Sequence, residues 1–526
     1  MLRAAEARLA LAAVAVGMLL VCTPSRSFAV ITLTAESGNQ PELFGNGMVL
    51  QRNSVVPIWG KAAAGAAIDA DFVNPSAAPG SQIVQSRSTT ANVSGRWVVR
   101  FDNLPVGGPY ELRLYENGAI TPSVTLVDVL VGDVWLLSGQ SNMVLRGPKP
   151  GDDVAYPNVR AITIKSWGQK PSGAAFYFGA QLYDKLHIPI GLVNRAKPDT
   201  ALGHWLPAEI IDDEDPVVPT LFSGCGGGSP IIDCLYYDQF IRPLERPLAP
   251  GEDPEGVALR GIVWWQGEKG EDKRGTDAYI HLFPAMIRTW RKNLGQPNLP
   301  FVFHQLPSGG GLRWTDFRVK SLPSRVDLRH WQPQQRITFF RALEVPFTSL
   351  MSSVDLPSGT HPQPYDAFGR RLGDAAVGTI YVAAGEVPLY TYSGPIYESA
   401  ELEPAPGSDE VRIHFRAGTG GGLKAGPAAA PPGTPVQGFA VCCNLDGEFV
   451  FADARIENDD EVVVSHPDVA TPTAVHYAIG RNARWANLFN EIDHGAAPFS
   501  TELEPFTDQD PDSDGFWEPG PYDGMP

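Results

Sequence analysis

After an apolar start, the rhythm of apolar and polar positions along the chain changes twice. Between about residues 41 and 130 it alternates in short stretches. Those at 55–59, 67–72, 96–101 and 110–115 predict strands, and Asn117-Gly118 marks a tight turn. Such spacing suits a small β-sandwich that packs or spaces, since no catalytic group stands out in it. From about 124 to 385 apolar runs end in polar loops and lead into helical stretches. Residues 124–137, 188–193, 259–265 and 301–306 read as strands, and 174–186 as an amphipathic helix. Tyr279, Phe283, Ile287, Trp290 and Leu294 recur at three- and four-residue spacing, which predicts a second helix. This alternation predicts α/β layers around a parallel sheet, with ligand sites at the carboxyl ends of the strands. From about 390 to 504 the pattern reads as β again, with strands at 411–415, 439–443 and 462–465 and a Pro-rich connector at 428–435.

Length adds that 526 residues exceed one hydrophobic core and imply two or three domains. The 54 Gly and 48 Pro favour turns and short strands. A formal charge of -18 argues against a nucleic-acid partner and reads as solubility. The start is a targeting segment: Arg3 and Arg8, an apolar run over 9–21, then Ser27-Phe28-Ala29 for cleavage. The run is too short for a membrane anchor, and no later stretch reaches 18 unbroken apolar residues. A secreted or periplasmic product without stable membrane insertion is expected. Cys225 and Cys234 bracket a Gly-rich loop and can pair in an oxidising compartment, whereas a bond between the adjacent Cys442 and Cys443 is strained and rare. No metal or other cofactor is expected, because no His lies at ligand spacing. Asp510-x-Asp512-x-Asp514-Gly515 begins like a calcium loop, but Pro521 stands where the bidentate Glu belongs, so it reads as an acidic tail.

Three places carry candidate chemistry. Ser141 follows a strand and Gly139, where its hydroxyl stands at the strand end and its N–H can face an oxyanion; on spacing alone, a Ser at a turn is usually just a cap. His361 lies in the loop Asp355-Leu-Pro-Ser-Gly-Thr-His-Pro362 before a predicted helix at 367–377. It is a base with Asp355 as the nearest upstream acid, or a surface His. Trp264-Trp-Gln-Gly-Glu268 ends another strand. There Gln266 can donate to an oxyanion and Glu268 can orient neighbours, or the two merely stabilise a turn. Trp205, Trp264, Trp265 and Trp485 are either sugar-stacking rings or packing.

Taken together, the blocks resemble the sialate O-acetylesterase family, a branch of the SGNH hydrolases. Gly132-Asp-Val-Trp135 with Ser138-Gly-Gln-Ser-Asn-Met143 is similar to its nucleophile block. Trp264 to Glu268 resembles its Trp-Tyr-Gln-Gly-Glu block, and His361-Pro362 with Gly369-Arg-Arg-Leu372 its histidine block. Flanking likenesses, from Met48-Val-Leu-Gln-Arg52 to Pro498-Phe-Ser500, extend it over roughly 41–503. The resemblance implies an SGNH-type three-layer α/β core flanked by β domains. The expected division is a leader at 1–29, a β-sandwich-like domain at 30–123, the hydrolase-like domain at 124–385, a β domain at 386–505 and a tail at 506–526. It implies Ser141 as nucleophile, His361 as base and Asp355 as orienting acid, although many SGNH enzymes place the Asp where Ser358 stands. Gln266 would assist the oxyanion, with Gln140, Asn142 and Glu268 as further oxyanion or substrate-binding residues. The substrate implied is an acetylated sugar or polysaccharide. Two departures matter. The family's Trp-Gly-Gly-Thr segment, whose Gly N–H serves the oxyanion hole, is Lys197-Pro-Asp-Thr200 here, and Lys269-Gly270 replaces Ser-Asn after Gln-Gly-Glu. Pro198 has no N–H and Asp199 adds a negative charge. A weakened glycan-binding relative, or an esterase for acetylated xylan or another polysaccharide, is therefore the alternative.

Overall fold

The computed structural model describes residues 31–33, 43–144, 155–162, 167, 173–222, 225, 234–246, 252–268, 273–307, 339–357, 361–402, 409–443, 449–479 and 486–502. The leader, the tail with its aspartates, Ser358, Lys269, Gly270 and Trp485 lie outside them.

Alternating residues in the first β region form β1 (Val49–Gln51), β2 (Val55–Lys61), β3 (Ala67–Val73), β4 (Ile83–Thr90), β5 (Arg96–Asp102) and β6 (Gly107–Glu116). Asn117 and Gly118 both take positive φ at the expected turn. The following strand, β7 (Val124–Gly139), is long and changes partners along its length. Its first half runs antiparallel to β6. Its second half runs parallel to β9 (Ile190–Asn194) and β10 (Gly261–Trp265), which continue into β8 (Val159–Ile162), β11 (Phe301–His304) and β12 (Thr348–Met351). The parallel order is β8-β9-β7-β10-β11-β12, within one ten-stranded sheet that also holds β1, β3, β4 and β6.

Both faces of the parallel part are buried, which is why its strands are nearly all apolar. Side chains alternate between the faces. Trp135, Leu137, Val263 and Trp265 pack with α1 (Gly173–Leu186) and a helix after His361, through Phe178, Leu182, Phe368 and Leu372. Leu136, Ile262 and Trp264 pack on the other face, with Phe283, Ile287 and Trp290. On that face lie the short α2 (Val218–Leu221) and α3 (Lys273–Asn293); the helix after His361 is α4 (Tyr365–Ala376). The result is the three-layer α/β core expected. Trp205, Trp264 and Trp265 are fully buried. They fill this core, each removing roughly 150–250 Å² from water, and offer no face to a sugar.

Asp133 in β7 is buried and fully engaged. Gln51 Nε2 donates to it at 2.9 Å, Arg52 at 3.0 and 3.1 Å, and the Tyr381 hydroxyl at 2.8 Å. The Gly-Asp-Val-Trp and Leu-Gln-Arg blocks thus join at the seam between the first β region and the core, away from the strand ends. The later β region contains two antiparallel four-stranded sheets. One holds Tyr397–Glu401, Val411–Phe415, Glu461–Ser465 and Asp453–Glu457, the other Val450–Phe451, Phe439–Cys442, Ala474–Tyr477 and Phe499–Ser500. It reaches the core where Gln305 Nε2 donates to the Pro498 carbonyl at 3.0 Å. Cys225 and Cys234 are disulfide-bonded with Cα atoms 5.5 Å apart, and Cys442 is bonded to its neighbour Cys443. Among the described residues no helix is long and apolar enough to cross a membrane.

Candidate active site

The site lies at the carboxyl ends of β9, β7 and β10. There the strand order reverses, since β8 and β9 lie on one side of β7 and β10 to β12 on the other. β7 ends in Gly139, which takes φ +117°; a Cβ there would lie 2.1 Å from the Trp265 carbonyl oxygen. Only glycine lets the strand turn this close to its neighbour. Gly139→Ala should therefore lose about 2 kcal/mol or more of stability and displace the following turn, cutting activity as well. Urea unfolding beside an activity assay checks both.

Ser141 to Met143 form that turn. Gln140 N–H donates to the Trp265 carbonyl at 2.8 Å, Met143 to Gln140 at 2.9 Å and Val144 to Ser141 at 3.2 Å. From β9, Asn194 Nδ2 donates to the Met143 carbonyl at 2.7 Å. The turn is held on both sides, and among the described residues the Ser141 N–H makes none of its bonds. Ser141 is 8% exposed. Its Oγ lies 2.7 Å from Nε2 of His361, which the loop after β12 carries across 220 residues of sequence. With the ring proton on Nδ1, the hydroxyl donates to Nε2, the arrangement a nucleophile and its base require.

Asp355 is not brought to His361 among the described residues. Arg371 of α4 takes both its oxygens, at 2.8 and 2.7 Å. Burial raises the Asp355 carboxyl, but the Arg371 charge and bonds, with His494 beyond, outweigh it and hold the pKa below the usual range. Gly495 of the later β region packs against the Asp355 side chain. Asp355 starts the His361 loop and Arg371 lies beyond it, so the pair closes the loop at its base.

Gln266 is buried, and its amide points into the protein. Nε2 donates to the Thr200 carbonyl at 2.9 Å and to Gln140 Oε1 at 3.3 Å, while its Oε1 accepts from the Tyr279 hydroxyl. It braces the loop beyond β9 against the nucleophile turn. Asn142 is bridged in the same way: Nδ2 donates to Glu268 Oε1 at 2.5 Å, and Oδ1 accepts from the Tyr365 hydroxyl at 3.0 Å.

Glu268 Oε1 also accepts from Trp265 Nε1 at 3.0 Å, while Oε2 is buried without a hydrogen-bond partner among the described residues. Burial, outweighing these bonds, pushes its carboxyl up to about 7. A proton on Oε2 fits this arrangement. A folded-state pKa above the unfolded value means that protonation favours folding. Glu268's stabilisation is then complete below the ordinary carboxyl range and lost as pH rises through about 7. Glu268→Gln keeps an acceptor for both donors without the charge. It should flatten this pH dependence, a difference on the order of 3 kcal/mol at pH 8, measurable as Tm against pH.

The segment standing for Trp-Gly-Gly-Thr borders the site. Lys197 N–H donates to the Gly139 carbonyl at 3.0 Å, and Thr200 Oγ1 donates to the Lys197 carbonyl at 3.0 Å. Pro198 and Asp199 are exposed, and Asp199 takes φ +61°, a left-handed turn that Asp tolerates better than most residues. The loop keeps a glycine-like bend without glycine. Asn194, Tyr279, Tyr365 and the role of Arg371 were missed in the sequence. A polar residue ending an all-apolar strand was a signal for Asn194; the others had none. Among the described residues no group of three or more His, Cys, Asp or Glu side chains is placed to hold a metal.

Residues 154–333 match the family described as carbohydrate esterase, sialic acid-specific acetylesterase. That match takes in Gln266 and Glu268 but neither Ser141 nor His361. The chain is 26% identical to sialate O-acetylesterase of Rattus norvegicus over 435 residues, covering 68% of this chain and 75% of that protein. Identity to the Homo sapiens protein is also 26%, over 404 residues, covering 68% and 73%. A carbohydrate acetylesterase from Xanthomonas citri superposes with a TM-score of 0.68 at 27% identity, over 90% of this chain and all of that one. The chain thus resembles the sialate O-acetylesterase family, and its α/β fold is shared with a carbohydrate acetylesterase.

Proposed function

We propose that this chain is an exported serine esterase that removes acetyl groups from sugar hydroxyls. The observation that carries the reading is the 2.7 Å approach of His361 Nε2 to Ser141 Oγ at a strand switch point. In this reading Ser141 Oγ attacks the acetyl carbonyl carbon while His361 Nε2 takes its proton. The oxyanion forms beside the Ser141 N–H. Collapse breaks the bond to the sugar oxygen, which leaves with the proton returned by His361. Water, deprotonated by His361, then attacks the acetyl-serine; acetate leaves and Ser141 regains its proton. Asp355 would act here through the shape of the His361 loop, because Arg371 holds its carboxylate. The leader-like residues 1–29 and the Cys225–Cys234 bond support export to an oxidising compartment.

The exposed Pro198–Asp199 corner favours the second reading, a glycan-binding relative with weakened chemistry. Acetate release by residues 30–526 from O-acetylated sialic acid and from acetylated xylan oligosaccharides separates the two. Release from either supports the esterase. A folded protein that releases none from both, yet binds them, supports the alternative.

A further inference from the structure

We propose that the later β region positions the catalytic base: its turn at residues 490–495 is a fixed stop that sets the root of the His361 loop, with Gly495 as the positioning residue. This rests on the esterase reading above.

His361 reaches Ser141 from a loop whose root, residues 353–356, follows β12. The core holds that root from one side. Ser353 Oγ lies 2.8 Å from His304 Nε2 and donates to the Gln305 carbonyl at 3.3 Å, while Arg371 takes both oxygens of Asp355. The later β region meets the root from the other side. A Cβ on Gly495 would lie 3.1 Å from each of Asp355 Cβ, Asp355 Oδ1 and Val354 Cγ1. Gly495 is not among the glycines at positive φ, so glycine serves here for space rather than for conformation. Val354 is buried and Asp355 is gripped by Arg371, so neither gives way without moving the root.

The turn is as firm as the root it presses on. Asn490 is fully buried. Its Nδ2 donates to the Ser393 carbonyl at 2.6 Å and the Thr419 carbonyl at 2.9 Å, and its Oδ1 accepts from the His494 N–H at 3.1 Å. Beyond Gly495, the Ala496 and Ala497 N–H groups donate to the Leu488 and Pro395 carbonyls, each at 2.9 Å. The Pro498 carbonyl then accepts from Gln305 at 3.0 Å, the residue whose own carbonyl holds Ser353. The later β region thus touches the root directly at Gly495 and through Gln305 at Pro498. A base 2.7 Å from its nucleophile tolerates little drift, since a misplacement of about 1 Å costs on the order of 10²-fold in rate.

The test measures kcat, KM and Tm for Gly495→Val and Gly495→Ala, on O-acetylated sialic acid and an acetylated xylo-oligosaccharide. Val462→Ala is the control. It opens a cavity in the same region, on a strand paired within that region's own sheet. At a temperature where all variants stay folded, Gly495→Val should lower kcat on the order of 10- to 100-fold relative to the control, with KM little changed. Gly495→Ala should show a smaller drop of the same kind, and adding Val354→Ala, which frees space beside the new Cβ, should recover part of it. If Gly495→Val does not fold, the Ala variant carries the comparison. A kcat no lower than the control's in the folded Gly495 variants, whatever their Tm, overturns the positioning role while the esterase stands. No Ser141-dependent release from either substrate by the unaltered protein overturns both.

Discussion

Replacing Ser141 by Ala lowers kcat for acetate release by about 10⁴-fold or more while the protein stays folded. The expectation follows from what the hydroxyl touches. Its described hydrogen bond is to His361, at the edge of the core, so its removal leaves packing intact. Ser141 is small and sits in a turn whose bonds are made by the Gln140, Met143 and Val144 N–H groups and by Asn194. None of these needs the side chain. The bond to the acetyl carbon does need it, and no other described hydroxyl meets His361. KM should change little, because the oxygen's contribution lies in the transition state. Steady-state assays with Tm measured in parallel check this. Activity within tenfold of the unaltered protein, at unchanged Tm, would refute the assignment.

The second large effect is expected at Arg371. Arg371→Met leaves the buried Asp355 carboxylate without its partner and should cost about 3–5 kcal/mol. The pH dependence should also reverse. In the unaltered protein Asp355 titrates below its unfolded value. Its contribution is present above the ordinary carboxyl range and lost as pH falls through the lower, folded value. Without Arg371, burial dominates and lifts that carboxyl. The variant should then gain stability, relative to the unaltered protein, as pH falls from neutral toward the ordinary carboxyl range. Because the pair closes the His361 loop, kcat should fall more than KM rises. Urea unfolding at several pH values, read beside the kinetics, tests both parts. A parallel loss at every pH would mean that the pair bears no net charge coupling.

Much of this was legible in the chain, for reasons that particular residues show. The apolar runs at 124–137 and 259–265 signalled strands. The helical period from Tyr279 to Leu294 placed α3. Ser141, Gln266 and His361 stood in separated polar blocks that follow β7, β10 and β12, and the fold brings His361 to Ser141. Short elements were less legible: β8 and β12 have four residues each, too few to show a period. Side-chain pairing was less legible still. Asp355 precedes His361 by six residues and suggested an orienting acid, yet the planar fork of Arg371, sixteen residues on, takes both its oxygens. The direction of the Gln266 amide depends on Thr200 and Tyr279, which only the folded loops bring to it. Trp205, Trp264 and Trp265, which resembled sugar platforms, are core, because each lies on a covered face of the sheet or packs against one.

The sharing of β7 between the antiparallel and parallel parts of the sheet has a consequence for how the molecule comes apart. The strand that pairs with β6 at Val124 is the strand that delivers Gly139 to the nucleophile turn. Asp133 rivets its middle to Gln51 and Arg52. Loosening the amino-terminal sheet would therefore slacken the beam on which Ser141 is mounted, and the two regions should melt as a single cooperative block rather than in sequence.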